Sequence, residues 1–266
     1  MSIVDGKKLA NQITEEVVEM IKKRPTPPRL VVITCNPNFE TQKFLALKKS
    51  KAESLGVDME TIFLPAETDT QKIIEIIKSQ TAVVDGIIVQ LPLPEHIDTN
   101  LVLASIPNNL DVDVFGYKGE DTDILPPVIG AIAEIANHHQ IIWKGKEVVV
   151  FGSGRLVGAP VILYAQAMGA NVNLITEHNT DVEMFTKKAD IIILGVGKPN
   201  LLTSEMVKEG VIVFDAGASE DGGLLVGDAS PNVAEKASLI TPVPGGIGPM
   251  TVILLFRNLL KLCSRQ

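Results

Sequence analysis

Short apolar runs rich in β-branched residues alternate with longer amphipathic segments along the first half of the chain. Runs at 29–35 (RLVVITC), 59–65 (METIFLP) and 84–94 (VDGIIVQLPLP) predict strands. Between them, 39–56 has the period of a helix that ends at a glycine, and 68–80 predicts a second helix with Thr or Asp at its cap. Strands that alternate with helices indicate parallel βαβ units, which bind ligands at the carboxyl ends of the strands.

The same alternation starts again near residue 141. A strand and tight turn are predicted at 145–154, a helix at 155–169, and further strands at 170–176, 189–197 and 210–217. A polar, turn-rich stretch, NNLDVDVFGYKGEDTDILPP, precedes this second series and is the best candidate for a linker. We therefore predict an α/β fold of two Rossmann-like domains separated by a cleft.

Composition excludes several classes of function. The chain has 266 residues, of which 45% are hydrophobic, and its formal net charge of −8 creates no field that attracts nucleic acid or an acidic membrane. Two cysteines and four histidines without metal-type spacing predict neither a disulfide framework nor a metal site. The first residues lack the pattern of a signal peptide, and no apolar run approaches the ~20 residues of a membrane span. We expect a cytoplasmic protein.

The segment VVVFGSGRLVG places Gly152, Gly154 and Gly158 between a strand and a helix. Glycines allow the backbone to approach a pyrophosphate, which then lies on amide groups at the positive end of the helix. The spacing is one residue longer than the usual fingerprint, so a purely structural tight turn is the alternative. The position of Glu177 after the next strand favours a dinucleotide, because a carboxylate there can accept hydrogen bonds from the adenosine ribose.

Other polar residues allow two interpretations each. The lysines of the first-half helix are Lys48, Lys49 and Lys51. They form either a solvated face or a site in which one amine has a lowered pKa. Gln90 follows a strand, where it either caps a loop or contacts a ligand, and Asp111 and Asp113 are either turn residues or acceptors for the N–H groups of a ligand.

The stretch TPVPGGIGPMT, residues 241–251, precedes the final apolar helix. Glycines 245, 246 and 248 leave room beside the backbone, and the prolines hold the shape of the loop. A rigid entry into the helix would not by itself require three glycines, so we expect something to approach the main chain here.

Taken together, the motifs resemble the methylenetetrahydrofolate dehydrogenase/cyclohydrolase family of the bifunctional FolD type. The resemblance rests on IVDGKKLA, KSKAESLGV, VDGIIVQLPLP, DVD, LVGAPV, ADIIILGVGKP, MVKEGVIVFDAG, VGDAS and ITPVPGGIGPMT, which occur in this order over essentially the whole chain. It implies a catalytic domain of residues 1–118 plus 246–266, to which the last helix returns, and a nicotinamide dinucleotide-binding domain of residues 119–245.

The resemblance also implies an activity. The substrate would be 5,10-methylenetetrahydrofolate, which loses a hydride to the cofactor, and the methenyl product would then be hydrolysed to 10-formyltetrahydrofolate. Such an enzyme is both an oxidoreductase and a hydrolase of one-carbon metabolism, serves purine biosynthesis, and is expected to be a homodimer. The implied catalytic residues are Lys49, which handles the proton of water, Gln90, which hydrogen-bonds near it, and Asp113, which binds the pterin N–H groups.

The remaining site residues follow from the same resemblance. Leu45 occupies the position that we align with a family tyrosine, with Phe44 beside it, and Pro244 and Gly248 are expected at the substrate. The residues expected at the cofactor are Gly152, Ser153, Gly154, Arg155, Gly158, Glu177 and Ala218. Family habit implies NADP, whereas Glu177 would repel a 2′-phosphate and leaves NAD as the alternative. A divergent relative, either a monofunctional dehydrogenase or a weak folate- or nucleotide-binding protein, is the second function that the sequence allows.

Overall fold

A computed structural model describes residues 2–265 of the chain. In chain order, the elements up to residue 138 are β1 (Ser2–Ile3), α1 (Gly6–Lys22), β2 (Arg29–Cys35), α2 (Phe39–Leu55), β3 (Asp58–Leu64), α3 (Thr70–Gln80), β4 (Gly86–Val89), α4 (Thr99–Ala104) and α5 (Pro127–His138). The later elements are β5 (Glu147–Phe151), α6 (Gly158–Ala167), β6 (Asn171–Ile175), α7 (Val182–Thr186), β7 (Ile191–Leu194), β8 (Ile212–Asp215), β9 (Ser219–Asp221), β10 (Leu224–Val226), β11 (Leu239–Ile240) and α8 (Gly248–Cys263). Short 3-10 helices occupy Ser204–Met206 and Pro231–Glu235.

The chain divides into two compact units. The six-stranded unit comprises Met1–Asn11 and Tyr117–Thr251, and the three-stranded unit comprises Gln12–Gly116 and Val252–Gln266. The prediction of two Rossmann-like α/β domains, with the last helix belonging mainly to the first, is confirmed. The N-terminal boundary differs from the predicted one, because β1 pairs with β11 and so adds the start of the chain to the six-stranded sheet.

The three-stranded unit contains a parallel sheet of order β3-β2-β4. Its strands were predicted from apolar runs, and β2 has the predicted limits because six of its seven residues are buried. The chain leaves β2 toward β3 on one side and returns to β4 on the other, so the strand order reverses between β2 and β4. In open α/β sheets this switch point is where ligands bind.

The six-stranded unit has a parallel sheet of order β1-β11-β8-β7-β5-β6. Its switch point lies between β5 and β7, since β6 lies on one side of β5 and the later strands lie on the other. Strands β5 and β7 are almost wholly buried, which explains why their sequences are continuous apolar runs. An antiparallel hairpin of β9 and β10 forms a separate two-stranded sheet.

None of the helices built from residues 2–265 is both long enough and apolar enough to cross a bilayer.

Candidate active site

Lys48 and Gln90 form the polar centre of the three-stranded unit. Lys48 Nζ donates a 2.8 Å hydrogen bond to Gln90 Oε1. Gln90 is the first residue after β4, at the switch point, and its Nε2 donates to the Leu91 carbonyl at 2.9 Å. That second bond orients the side-chain amide, so its oxygen faces the lysine.

Lys49 occupies a different side of α2. Its Nζ donates to the Met59 carbonyl of β3 at 2.7 Å, and the residue is exposed. Consecutive residues of a helix differ by about 100° in direction, so neighbouring lysines cannot face the same site. The expected pairing of Gln90 with Lys49 is therefore replaced by a pairing with Lys48.

The helix register explains this difference. The buried face of α2 is formed by Thr41, Leu45, Ala52 and Leu55, and Lys48 falls between them at spacings of three and four residues. The helix begins after Asn38, whose side chain accepts from Thr41 N at 2.8 Å. This cap fixes the register of the segment and directs Lys48 inward.

Leu45 is a core residue in the structure. Its side chain is 5% exposed, whereas that of Phe44 is 54% exposed. We expected Leu45 to contact substrate, but its burial makes it unavailable to a ligand. Phe44 lies one turn before Lys48, at the i, i+4 spacing that places side chains side by side on a helix.

Asp113 reaches the same region through a segment that lies along β4. Ile87 N donates to the Leu110 carbonyl at 2.7 Å, and Ile87 pairs with Asp111 in parallel register. Two residues further on, Asp113 lies close enough to Lys48 for the two charges to interact. The C-terminal helix supports the segment, because Asn258 Nδ2 donates to the Val112 carbonyl at 3.1 Å.

Burial and mutual attraction set the charges of this cluster. Burial lowers the pKa of Lys48, and the nearby Asp113 carboxylate offsets part of that effect. Burial raises the pKa of Asp113, and Lys48 opposes the rise. Burial, together with the charge of Asp113, raises the pKa of Asp111 to about 7 although backbone N–H groups of Phe115 and Val114 donate to its carboxylate. The arrangement can therefore hold an uncharged amine beside a carboxylate and an oriented amide.

The predicted dinucleotide turn lies at the switch point of the six-stranded unit. Gly152 has φ +77°, and a Cβ at Gly158 would lie 2.0 Å from the Gly152 carbonyl oxygen. A Cβ at Gly195, directly after β7, would lie 2.6 Å from the Val157 side chain. Only glycines allow these approaches, so the backbone itself forms the surface before α6. This surface and the helix N-terminus are suited to a pyrophosphate.

The other residues expected at the cofactor surround this turn. Ser153, Gly154 and Arg155 are exposed within it, and Ala218 is exposed after β8. Glu177 follows β6, the neighbour of β5, with its side chain 88% exposed and 3.9 Å from His178 Nε2. They remain predictions, since their positions agree with a cofactor site but do not test it.

The Pro-Gly-rich loop receives the start of the chain. A Cβ at Gly6 would lie 1.8 Å from the Gly246 carbonyl oxygen, and Gly6 N donates to the Gly245 carbonyl at 3.0 Å. At Gly246 the N-terminal segment is therefore one partner that approaches the main chain, and the approach of substrate and cofactor to this loop stays a prediction. A Cβ at Gly248 would meet no atom within 4 Å. The expected substrate contacts of Pro244 and Gly248 stay predictions.

Sequence reasoning missed two features. The inward position of Lys48 could have been found from the spacing of Thr41, Leu45, Ala52 and Leu55 around it. Two buried carboxylates, Asp215 and Asp228, have no periodic signal, because Asp215 is the last residue of a strand, Asp228 lies in a loop, and both accept hydrogen bonds from loop backbone.

Comparison with known proteins agrees with this geometry. The family model "Tetrahydrofolate dehydrogenase/cyclohydrolase, catalytic domain" matches residues 4–113, and the model for the NAD(P)-binding domain of the same family matches residues 126–266. A bifunctional protein FolD from Nautilia profundicola is 36% identical over 98% of this chain and 96% of its own.

Two solved structures give the same result. The FolD enzyme of Campylobacter jejuni superposes with a TM-score of 0.94 at 35% identity, over 100% of this chain and 99% of that one. A FolD of Trypanosoma brucei, complexed with NADP cofactor and inhibitor, has a TM-score of 0.90 at 29% identity, over 99% of this chain and 97% of that one.

Proposed function

Since this chain belongs to the tetrahydrofolate dehydrogenase/cyclohydrolase family, we infer that it oxidises 5,10-methylenetetrahydrofolate and hydrolyses the methenyl product to 10-formyltetrahydrofolate. The enzyme is a bifunctional, NAD(P)-dependent dehydrogenase and cyclohydrolase of one-carbon metabolism. The observation that carries the assignment of roles is the 2.8 Å hydrogen bond from Lys48 Nζ to the oriented amide of Gln90.

Lys48, rather than Lys49, acts in the hydrolytic step. Burial lowers its pKa, so a larger fraction of the amine is uncharged and able to accept a proton from water. The water oxygen bonds to the methenyl carbon, and one proton of the water goes to the amine. A carbon–nitrogen bond of the ring then breaks: the leaving nitrogen takes the proton back from the lysine, and the hydroxyl loses its remaining proton to solvent as it becomes the carbonyl of the N-formyl product. Gln90 holds the amine in position, and Asp113 accepts hydrogen bonds from the N–H edge of the pterin.

The dehydrogenase step requires a nicotinamide cofactor, which accepts the hydride when bound. The glycines at 152 and 158 fit such a group, because they open the backbone surface in front of α6. We assign NADP, supported by the NAD(P)-binding family model and by the NADP complex of the T. brucei relative. Glu177 would disfavour a 2′-phosphate, so parallel assays with NADP and NAD measure how far this carboxylate shifts the preference.

One experiment tests the role of Lys48. Lys48→Met keeps a long apolar side chain in the buried position, and Lys49→Met is the matched control on the next residue. We expect Lys48→Met to lower the rate of methenyl hydrolysis by about 100-fold or more, since general base catalysis contributes about 10²–10⁴-fold. Oxidation of the methylene substrate, followed by absorbance of the methenyl product, should fall less.

Lys49→Met should change either rate by no more than about twofold, because substitution of an exposed residue away from a site has little effect. Loss of hydrolysis in the Lys49 variant with retention in the Lys48 variant would reverse the assignment. Absence of both activities in the unsubstituted enzyme would refute the proposed function itself.

A monofunctional dehydrogenase is the second candidate, and Phe44 favours it. With Lys48 as the functional lysine, the family tyrosine that we expected four residues earlier falls on Phe44. Phenylalanine can stack on a ligand but has no hydroxyl to hydrogen-bond the amine. If hydrolysis is undetectable while oxidation proceeds, this second function replaces the first.

The expected homodimer is also part of the proposal. The β9–β10 hairpin presents Leu224 and Leu225 with 70% and 49% of their surfaces exposed. A hairpin that pairs only within itself in the described structure, with leucines on its outside, is a suitable surface for a second copy of the chain.

A further inference from the structure

Two buried carboxylates lie below the loops at the carboxyl ends of the six-stranded sheet. Asp215 ends β8, and Asp228 follows β10. Their side chains are 3% and 0% exposed, respectively. Neither is among the residues to which the two reactions assign a role.

Asp228 accepts hydrogen bonds from three consecutive backbone N–H groups in the segment that follows β7. Its Oδ2 accepts from Val196 N at 2.7 Å and from Gly197 N at 3.2 Å, and its Oδ1 accepts from Lys198 N at 2.7 Å. The three donor residues are all exposed. A buried charge thus holds an exposed strand-end segment through three consecutive amide groups, an arrangement that fixes the path of the backbone.

Asp215 anchors Asp228 in turn. Asp215 Oδ1 accepts from Gly217 N at 2.9 Å and from Asp228 N at 3.2 Å, and Oδ2 accepts from Ala229 N at 2.8 Å. Asp215 N also donates to Thr241 Oγ1 at 2.6 Å, at the start of the Pro-Gly-rich loop. The segments after β7, β8, β10 and β11 are therefore joined through these two residues.

Two glycines make room for the carboxylates. A Cβ at Gly217 would lie 2.3 Å from Asp228 Cγ, and a Cβ at Gly227 would lie 2.2 Å from Asp215 Oδ2. The two carboxylates therefore pack directly against the backbone of Gly217 and Gly227, with no side chain between them.

The segment held by Asp228 borders the dinucleotide turn. It continues from Gly195, whose Cβ would meet the Val157 side chain immediately before α6. It also leaves the sheet on the β7 side of the switch point between β5 and β7. Its conformation therefore determines the shape of one wall of the site that we propose for the nicotinamide cofactor.

We propose that Asp228 is a positioning residue for the cofactor, which holds Val196–Lys198 in the conformation that receives the nicotinamide half of the dinucleotide, with Asp215 as its anchor. The inference rests on the proposed function for the identity of the cofactor. It assigns to Asp228 an effect on cofactor binding and oxidation, but not on the hydrolytic step, which uses no nicotinamide.

The test compares Asp228→Asn with Asp121→Asn, which removes the same charge at an exposed position of the same unit. An asparagine at 228 has one acceptor oxygen and an NH2 group that faces one or more of the three N–H donors. We expect the KM for NADP to rise about tenfold or more, because a charge-assisted hydrogen bond to the Val196–Lys198 backbone is lost. The dissociation constant for NADP, measured by calorimetry on the full chain, should rise by the same factor.

Hydrolysis of the methenyl compound should stay within about twofold of the unsubstituted enzyme in both variants, because the wall built by Val196–Lys198 serves only the cofactor and substitutions away from a site have little effect. An unchanged KM and dissociation constant in Asp228→Asn would overturn the proposal. A parallel fall of oxidation, hydrolysis and thermal midpoint would also overturn it, because it would show a general role in folding. If the unsubstituted enzyme lacked both activities, the calorimetric comparison would still decide the role of Asp228 in NADP binding.

Discussion

At the scale of single residues, the hydrolytic step that we propose depends on an amine that the fold removes from most of the solvent. Lys48 is half-buried and lies in line with the buried residues Leu45 and Ala52 of α2, where an apolar residue would be expected. The Gln90 side chain accepts a hydrogen bond from the lysine nitrogen. Attraction to the Asp113 carboxylate offsets part of the free-energy cost of burying the charged lysine. The pKa of this lysine is lowered because the compensation is incomplete, and an uncharged amine is what proton transfer from water requires.

Phe44 offers a direct test of how this amine is held. Phe44→Tyr would add a hydroxyl one helical turn from Lys48, within reach of its amine. We expect the rate of methenyl hydrolysis to increase by about two- to tenfold, since one added hydrogen bond contributes about 0.5–1.5 kcal/mol. Phe39→Tyr, an equally conservative change on the exposed end of the same helix, is the control and should leave the rate unchanged. A decrease in the Phe44 variant would mean that the added hydroxyl does not support the lysine.

Val114 has a backbone conformation that its β-branched side chain disfavours. It has φ +57°, in the left-handed region, and follows Asp113 directly. A β-branched side chain is strained in this region by roughly 1–2 kcal/mol. Asp111 holds the conformation by accepting from Val114 N at 3.0 Å.

Val114→Gly should therefore raise the free energy of unfolding by about 1 kcal/mol, after the larger backbone entropy of glycine in the unfolded chain is subtracted. Urea unfolding followed by circular dichroism measures the change. Asn200→Gly is the matched control, because Asn200 has φ +58° but asparagine tolerates this region, so its gain should be smaller. Equal gains at both positions would argue against strain at Val114.

At the scale of elements, both units use the same arrangement, in which parallel strands bring their carboxyl ends to a switch point. In the three-stranded unit, Gln90 follows β4 there, and the segment of Asp113 continues beside it. In the six-stranded unit, the turn between β5 and α6 meets the segment after β7. Strand order thus brings together residues that are far apart in sequence.

The junction of β5 and α6 leads to a prediction about packing. Gly158→Ala would place a methyl group 2.0 Å from the Gly152 carbonyl oxygen, and the backbone must move to accept it. We expect a loss of roughly 1–3 kcal/mol in the free energy of unfolding, the usual cost of overpacking. Gly154→Ala, in the same turn, meets nothing within 4 Å and should leave the unfolding midpoint unchanged. Thermal unfolding followed by calorimetry compares the two, and equal midpoints would contradict the close approach.

At the scale of the whole molecule, the chain forms two α/β units whose sheets differ in size but share parallel topology. The N-terminal strand β1 belongs to the larger sheet, and α8 contributes most of its length to the smaller unit. The chain therefore passes from one unit to the other within α1 near the N-terminus and within α8 near the C-terminus. The proposed second copy of the chain would add a contact at the β9–β10 hairpin.

The dimer can be tested by charge substitution on that hairpin. We expect the chain to sediment as a dimer, and the double variant Leu224→Glu, Leu225→Glu to sediment as a monomer, because two buried carboxylates at an interface are strongly unfavourable. Leu101→Glu, at a leucine on α4 that is 57% exposed, is the control and should remain a dimer. A dimer in all three cases would exclude the hairpin as the interface.

The elements and their class could be predicted before folding is considered, because hydrophobic periodicity and glycine or Asx ends are local properties of the chain. The strand at Arg29–Cys35, the helix that ends at Gly56 and the glycine-rich turn after β5 were all predictable in this way. Gln90 and Asp113 were predictable candidates because they follow strands or turns, although their roles remain proposals.

Three features depend on the folded chain: which lysine contacts Gln90, the burial of Leu45, and the contacts that hold the segment after β7. Lys48 and Lys49 are adjacent and chemically identical, and they differ only in the direction that the helix register gives them. The six N–H groups that donate to Asp215 and Asp228 come from separate loops, and Val196 lies 32 residues before its acceptor Asp228. Contacts of that kind depend on the path of the folded backbone, which no local pattern of residues encodes.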